Sequence, residues 1–127
     1  MDLKRKYSVQ SSSIWAYLDR LVAACPVVID RPSNTPHPRY SEIVYPLDYG
    51  YLEGTSAVDG VGVDVWLGAS RTYDLTAVVL TVDLLKRDVE IKILLGCTDT
   101  EMQTILDFHN TKSIQALLVH RVTNPKR

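Results

Sequence analysis

The feature that most constrains the fold is a pair of β-rich runs separated by a short charged stretch. The runs are residues 75–82 and 88–95, and Lys86 and Arg87 lie between them. Charged residues recur at every second position of the second run, at Asp88, Glu90 and Lys92. Alternation with a period of two is typical of a strand that buries one face. The pattern therefore predicts an antiparallel β-hairpin with one charged and one apolar face.

Helices are predicted on both sides of this hairpin. Apolar residues at helical spacing indicate an amphipathic helix that begins after the serines at 11–13 and ends before Pro26, with residues 1–10 as a loose tail. A Thr-x-x-Glu capping box at Thr98 and Glu101 predicts a second helix. Further short strands are expected at residues 26–30, 40–45, 49–52, 63–68 and 114–119. The pattern favours an α+β fold, a small β-barrel with packed helices, in one domain of residues 1–127.

Composition narrows the expected partners and location. The net charge is −1, from 14 basic and 15 acidic residues, which gives no broad field for nucleic-acid or membrane binding. No apolar run reaches the roughly 18 residues of a membrane span, and residues 1–10 lack the apolar segment of a secretory signal. We therefore expect a cytoplasmic protein. Cys25 and Cys97 lack metal-site spacing, so buried free thiols are expected.

Two pairs of aspartates have the same spacing. Asp59 and Asp64 are five residues apart, and so are Asp83 and Asp88, which flank the predicted hairpin tip. If the two segments meet, four carboxylates converge and repel one another unless a cation lies among them. Oxygen ligands select Mg²⁺, Mn²⁺ or Ca²⁺ over zinc. The alternative for each aspartate is a turn role, in which the carboxylate accepts hydrogen bonds from nearby backbone amides.

A longer motif contains the first of these pairs. The run Tyr45-Pro-Leu-Asp-Tyr-Gly-Tyr-Leu-Glu-Gly-Thr, followed by Asp59-Gly-x-x-x-Asp64, resembles the centre of the family I inorganic pyrophosphatases. In that family Tyr-Pro-x-Asn-Tyr-Gly-Tyr leads into Asp-Gly-Asp-Pro-x-Asp. The resemblance extends to the Asp83-x-x-x-x-Asp88 pair, to Arg39-Tyr40 at a Lys-Tyr position and to Thr111-Lys112 at a Tyr-Lys position. It covers about residues 26–120 and implies a closed OB-like barrel with a helix at its C-terminal end.

The resemblance also implies an activity and the residues that carry it. It implies a phosphohydrolase that uses Mg²⁺, or Mn²⁺, to convert diphosphate to phosphate. Four carboxylates match positions at or near the family's metals: Asp59, Asp64, Asp83 and Asp88. Three residues match its phosphate-binding positions: Arg39, Tyr49 and Lys112. Asp83, as a second-metal ligand or substitute base, and Tyr49, which hydrogen-bonds phosphate, are the expected catalytic residues.

Departures from the family pattern open a second hypothesis. Val61 stands where the family has the aspartate assigned as general base, a role that typically contributes ~10²–10⁴-fold to the rate. Glu90 replaces a lysine that faces the substrate, and Lys92 lies about 6–7 Å further along the same face. A phosphate-binding hairpin of the family is reduced here to residues 41–44. The chain is therefore either a hydrolase of reduced or altered activity or a non-catalytic module that binds metal or a phosphorylated ligand.

A third function class is disfavoured. An OB-like barrel with exposed tyrosines can stack nucleic-acid bases, but the acidic cluster would lie on the same face and repel phosphates. The expected partner is thus a small phosphate or diphosphate compound, with neither nucleic acid nor membrane. A homo-oligomer is also expected, because family members are often oligomeric and the first helix carries an apolar stripe. His109 is expected on a helix surface, and Trp66 on the same strand face as Asp64.

Overall fold

The computed structural model describes the backbone of residues 3–57, 60 and 62–122, and side chains from residue 13 onward within those ranges. Within these ranges it contains two helices and six strands, which confirms the α+β class. The helices and strands in chain order are α1 (Leu3–Ala24), β1 (Val27–Arg31), β2 (Asp48–Leu52), β3 (Asp64–Leu67), β4 (Leu75–Asp83), β5 (Asp88–Leu95), α2 (Asp99–His109) and β6 (Ile114–His120). The six strands and α2 therefore exist close to their expected positions.

The strands form one mixed sheet in the order β1-β2-β3-β5-β4-β6. β4 and β5 are the predicted hairpin, paired antiparallel, while β3 and β5 run parallel. The expectation of a closed barrel is wrong, because β1 and β6 are the edges of an open sheet in the described part of the chain. The strand expected at residues 40–45 is also missing there, and only a single bridge joins Pro36 to Val44. Pro36 has no backbone N–H to donate to a ladder, and the segment 40–45 adds no strand to the sheet beyond this bridge.

The first helix is longer than the sequence predicts. It begins at Leu3, so residues 3–10 are helical and the serines at 11–13 lie inside the helix rather than at its start. No glycine or proline interrupts the sequence before Pro26, which explains why the helix continues through the serines. Neither described helix has the length and apolar character needed to cross a bilayer.

The sheet separates two apolar cores. Residues of α1, among them Trp15, Leu18 and Leu21, pack against the core that contains Val65 and Ile93. α2 covers the opposite face, where its residues Met102 and Ile105 join the core of Trp66, Val79 and Leu94. The predicted capping box is present at Thr98 and Glu101, and it fixes the start of α2. Cys97 is a buried free thiol, as predicted, whereas Cys25 is only half-buried.

Candidate functional site

A buried lysine lies at the centre of the polar residues on the α2 face of the sheet. Lys92 of β5 is only 6% exposed. Its ammonium Nζ donates hydrogen bonds to Asp64 Oδ2 at 2.7 Å, Glu90 Oε1 at 2.9 Å and the Tyr49 hydroxyl at 3.1 Å. An ammonium has three donors, so these three oxygens satisfy all of them. We refer to Tyr49, Asp64, Glu90 and Lys92 as the lysine cage.

Strand pairing brings the cage together from three strands. β2 pairs with β3 so that Tyr49 lies opposite Trp66, and Tyr51 opposite Asp64. β3 then pairs in parallel with β5. Because side chains alternate between faces along a strand, Glu90 and Lys92 point the same way from β5. The sequence places Glu90 and Lys92 on one face, but the contact of Lys92 with Asp64 depends on the parallel pairing, which carries no local signal.

The cage holds its charges in a low-dielectric setting. Burial by itself disfavours the ammonium, but attraction to the Tyr49 and Asp64 oxygens and the hydrogen bonds outweigh it, so the pKa of Lys92 lies above its ordinary value. Burial raises the pKa of Tyr49, and the nearby Asp64 carboxylate adds to that rise. Lys92 is therefore charged and Tyr49 a neutral phenol at neutral pH.

A histidine that the sequence places on a helix surface is instead buried beside the cage. The Trp66 indole N–H donates to His109 Nε2 at 3.0 Å, which leaves the ring proton on Nδ1. Burial, and then the charge of Lys92, lowers the pKa of His109 to about 3. The sequence does carry a signal for this burial, since His109 follows Ile105 by four residues in the apolar stripe of α2.

The hairpin end of β4 and β5 carries the second aspartate pair. Asp83 lies directly opposite Asp88 in the strand register. Asp83 Oδ1 accepts hydrogen bonds from the backbone N–H groups of Leu85 and Lys86, each at 3.0 Å. This is the turn role that the sequence left open for Asp83. Both aspartates line a cavity of about 200 Å³ together with Thr81, Lys86, Glu90, Lys92 and His109.

The predicted phosphate-binding residues are dispersed. Tyr49 is engaged in the lysine cage. Arg39 is exposed in the loop of residues 36–44, where its backbone N–H donates to His37 Nδ1. Lys112 is exposed in the turn after α2. Their sequence neighbours share a cavity of about 450 Å³, lined in part by His37, Tyr45, Phe108, His109 and Thr111.

The described residues can be tested for a divalent-metal site. Among them, no three His, Cys, Asp or Glu side chains are placed to share an ion. Asp64 Oδ2 already accepts from the Lys92 ammonium, and Asp83 Oδ1 already accepts from two backbone amides. Asp59 and Val61 lie outside the described residues. The described donors therefore do not by themselves fit the Mg²⁺ site that the sequence predicts.

Comparison with known proteins supports the fold at a distance. No protein-family model and no curated protein matches the chain. Among solved structures, the chain is similar to an inorganic phosphatase from Anaplasma phagocytophilum, with a TM-score of 0.53 and 16% sequence identity. The match covers 74% of this chain and 81% of that one. At this level of identity the likeness concerns the fold alone.

Proposed function

We propose that the chain is a non-catalytic module that binds a small phosphorylated molecule without a divalent metal. The observation that carries this proposal is the Lys92 ammonium, buried between the carboxylates of Asp64 and Glu90. A divalent ion placed on the same carboxylates would lie within a few ångströms of the ammonium. Like charges at such distances repel strongly where solvent is scarce. The cation at these carboxylates is therefore supplied by the chain itself.

The valine at position 61 supports the same proposal. Val61 stands where the family that the sequence resembles has its general base, and an isopropyl side chain accepts no proton. Tyr49, expected to bind phosphate, instead hydrogen-bonds the buried ammonium. Two residues expected to take part in catalysis are thus replaced or already engaged.

The ligand class follows from the basic side chains around the two cavities. Arg39, Lys86 and Lys112 make no side-chain ion pair within the part of the chain that the structure describes. Lys86 lines the smaller cavity, and His37 and Thr111, which lie within two positions of Arg39 and Lys112 in the sequence, line the larger one. Lys and Arg donors form strong, charge-assisted hydrogen bonds with phosphate oxygens. His109, which lines both cavities, adds a neutral N–H donor.

Calorimetry with pyrophosphate as the probe tests this proposal. We expect binding in EDTA that added Mg²⁺ does not strengthen, and recovery of the pyrophosphate intact. An Arg39→Ala, Lys112→Ala double variant should bind at least about tenfold more weakly, which corresponds to ~1.4 kcal/mol. Arg20→Ala, which removes a charge from α1, is the matched control. Failure of the native protein to bind pyrophosphate in either condition would refute the proposed function.

A second candidate, a Mg²⁺- or Mn²⁺-dependent phosphohydrolase, is favoured by a different observation. Asp83, Asp88 and Glu90 face one cavity, and Asp59 adds a fourth carboxylate in the sequence. In this candidate, Asp59, Asp64 and Asp88 hold the metal and Asp83 is a second ligand or the base. It predicts Mg²⁺-dependent phosphate release that increases in Val61→Asp and is lost in Asp64→Ala. No release by the native protein or by Val61→Asp would eliminate it.

A further inference from the structure

The lysine cage has the composition of a cation site. Its acceptors are two carboxylates and a phenol oxygen, all within 3.1 Å of the Lys92 nitrogen. The carboxylate side chains of Asp64 and Glu90 are 25% and 13% exposed. Charged groups at this depth are unfavourable without a partner, because burial in a poorly solvated site disfavours the ionised form. The cage oxygens therefore require a positive charge at the position of Nζ.

Among the described residues, two cavities border the cage, and Asp64 and Glu90 line one of about 330 Å³. Both Glu90 and Lys92 line the cavity of about 200 Å³, where Asp88 supplies a further carboxylate from the same face of β5. A volume of this size holds several water molecules, at about 30 Å³ of liquid volume each. An ion at the position of the Lys92 nitrogen would meet the oxygens of Tyr49, Asp64 and Glu90, together with water. Such ligands suit hard divalent cations, and Mg²⁺ in particular binds through one or two carboxylates and keeps several waters.

We propose that the lysine cage is a latent divalent-cation site whose resident cation is the Lys92 ammonium. Lys92 blocks the site in the native chain, and shortening its side chain opens the site to a hard metal ion held by Asp64 and Glu90. The ammonium lies 2.7–3.1 Å from its acceptors. Metal–oxygen distances for Mg²⁺ are about 2.0–2.1 Å, so the carboxylates must close inward by less than roughly 1 Å. The flexible side chain of Glu90 and bridging water make that adjustment available.

Mn²⁺ alone, without phosphate, is the probe that tests the latent site. Binding is measured by electron paramagnetic resonance of free Mn²⁺ and by calorimetry on the full chain. We expect Lys92→Ala to bind one Mn²⁺ at least about tenfold more tightly than the native protein. We also expect Mn²⁺ to raise the melting temperature of Lys92→Ala but not of the native protein, because an ion that binds only the folded state stabilises it.

Matched variants decide the outcome. Arg20→Ala removes a positive charge from an exposed position of α1 without breaking an ion pair of the described residues, and should bind Mn²⁺ as the native protein does. Adding Asp64→Asn and Glu90→Gln to Lys92→Ala should abolish the gain. Folded Lys92→Ala that binds no additional Mn²⁺ overturns the proposal. So does Lys92→Ala that stays unfolded at saturating Mn²⁺, since the two cations are then not interchangeable.

This inference goes beyond the proposed function, and the two fail separately. The proposed function is tested on the native protein with pyrophosphate, whereas the latent site is tested on the variants with metal alone. Tight binding of one Mn²⁺ by the native protein, lost in Asp64→Asn, would contradict the blocked site and favour the hydrolase instead.

Discussion

Two pairs of carboxylates lie on the same sheet, and the described residues neutralise only one of them. Asp64 and Glu90 share the buried Lys92 ammonium at 2.7 Å and 2.9 Å. Asp83 and Asp88 lie opposite each other at the hairpin end, and neither makes an ion pair with a described residue. The buried pair thus has an internal cation, while the hairpin pair relies on solvent and on the turn amides that bind Asp83.

This difference shows why equal spacing does not imply equal chemistry. Asp64 and Asp83 each belong to a pair of aspartates five residues apart. Desolvation makes a cation necessary for Asp64, whereas Asp83 sits at a turn where backbone N–H groups are available. Separate substitutions in the two pairs should therefore have effects of different size and, for one of them, of opposite sign.

Removal of the internal cation should have the largest effect. Lys92→Met keeps the length of the side chain but leaves Asp64 and Glu90 without their partner. Breaking a buried ion pair from one side typically costs ~3–5 kcal/mol, so we expect a loss of that size in the free energy of unfolding. Urea denaturation measures it. Lys86→Met, at an exposed lysine of the hairpin turn, should change the free energy by less than about 0.5 kcal/mol.

An equal effect of Lys92→Met and Lys86→Met would show that the cage is not a unit of stability. Both carboxylate pairs would then be solvated, and the proposal that Lys92 blocks a metal site would lose its physical basis.

The burial of His109, together with the nearby charge of Lys92, should be detectable as a pH dependence of stability. The pKa of His109 is lowered to about 3 in the folded protein, whereas an unfolded histidine titrates near 6.5. Between these values the unfolded chain binds the proton and the folded chain does not. Stability should therefore fall as the pH drops from 6.5 towards 3, by up to about 1.4 kcal/mol per pH unit from this residue.

His109→Gln is the matched control for this slope, because the glutamine oxygen accepts a hydrogen bond from Trp66 and does not titrate. The measurement is the difference between the native and His109→Gln proteins in urea midpoint from pH 4 to 6.5. A difference that does not vary with pH would contradict the buried, neutral histidine.

The fold was predictable where its signals are local. Period-two alternation in residues 88–95 predicts β5, and the Thr98–Glu101 box predicts the start of α2. These signals involve residues a few positions apart, so they need no knowledge of the rest of the chain. Barrel closure depends instead on whether distant strands pair, and the segment expected as a strand at 40–45 makes only the Pro36–Val44 bridge.

Three residues of the lysine cage could be singled out from the sequence, but the contacts between them could not be predicted. Asp64, Tyr49 and Lys92 each stand out in the sequence, yet the contact among them requires β2, β3 and β5 to be neighbours. The parallel pairing of β3 with β5 skips β4, and the sequence contains no local feature that specifies this order. Burial of His109 likewise depends on which face of α2 meets the sheet.

Within the hairpin pair, Asp83 should act through its turn hydrogen bonds. Asp83→Ala removes the acceptor of two backbone N–H groups, and we expect a loss of about 1 kcal/mol in the free energy of unfolding. Asp83→Asn keeps an acceptor oxygen and should retain most of the stability. If Asp83 were instead a metal ligand or base, Asp83→Asn would abolish phosphate release while leaving stability intact. Urea denaturation and a phosphate assay on both variants separate these roles.

The smallest effect, and the one of opposite sign, is expected at Asp88. Like charges directly opposite each other in an antiparallel pair are destabilising, typically by a few tenths of a kcal/mol. Asp88→Asn removes one charge, so we expect a gain of about 0.2–0.5 kcal/mol at low salt. Because salt screens charges at the protein surface, the gain should shrink towards zero at ~1 M NaCl. A loss of stability that persists at high salt would show that Asp88 has a favourable partner. The hairpin pair would then resemble the buried pair in having a partner for its charge.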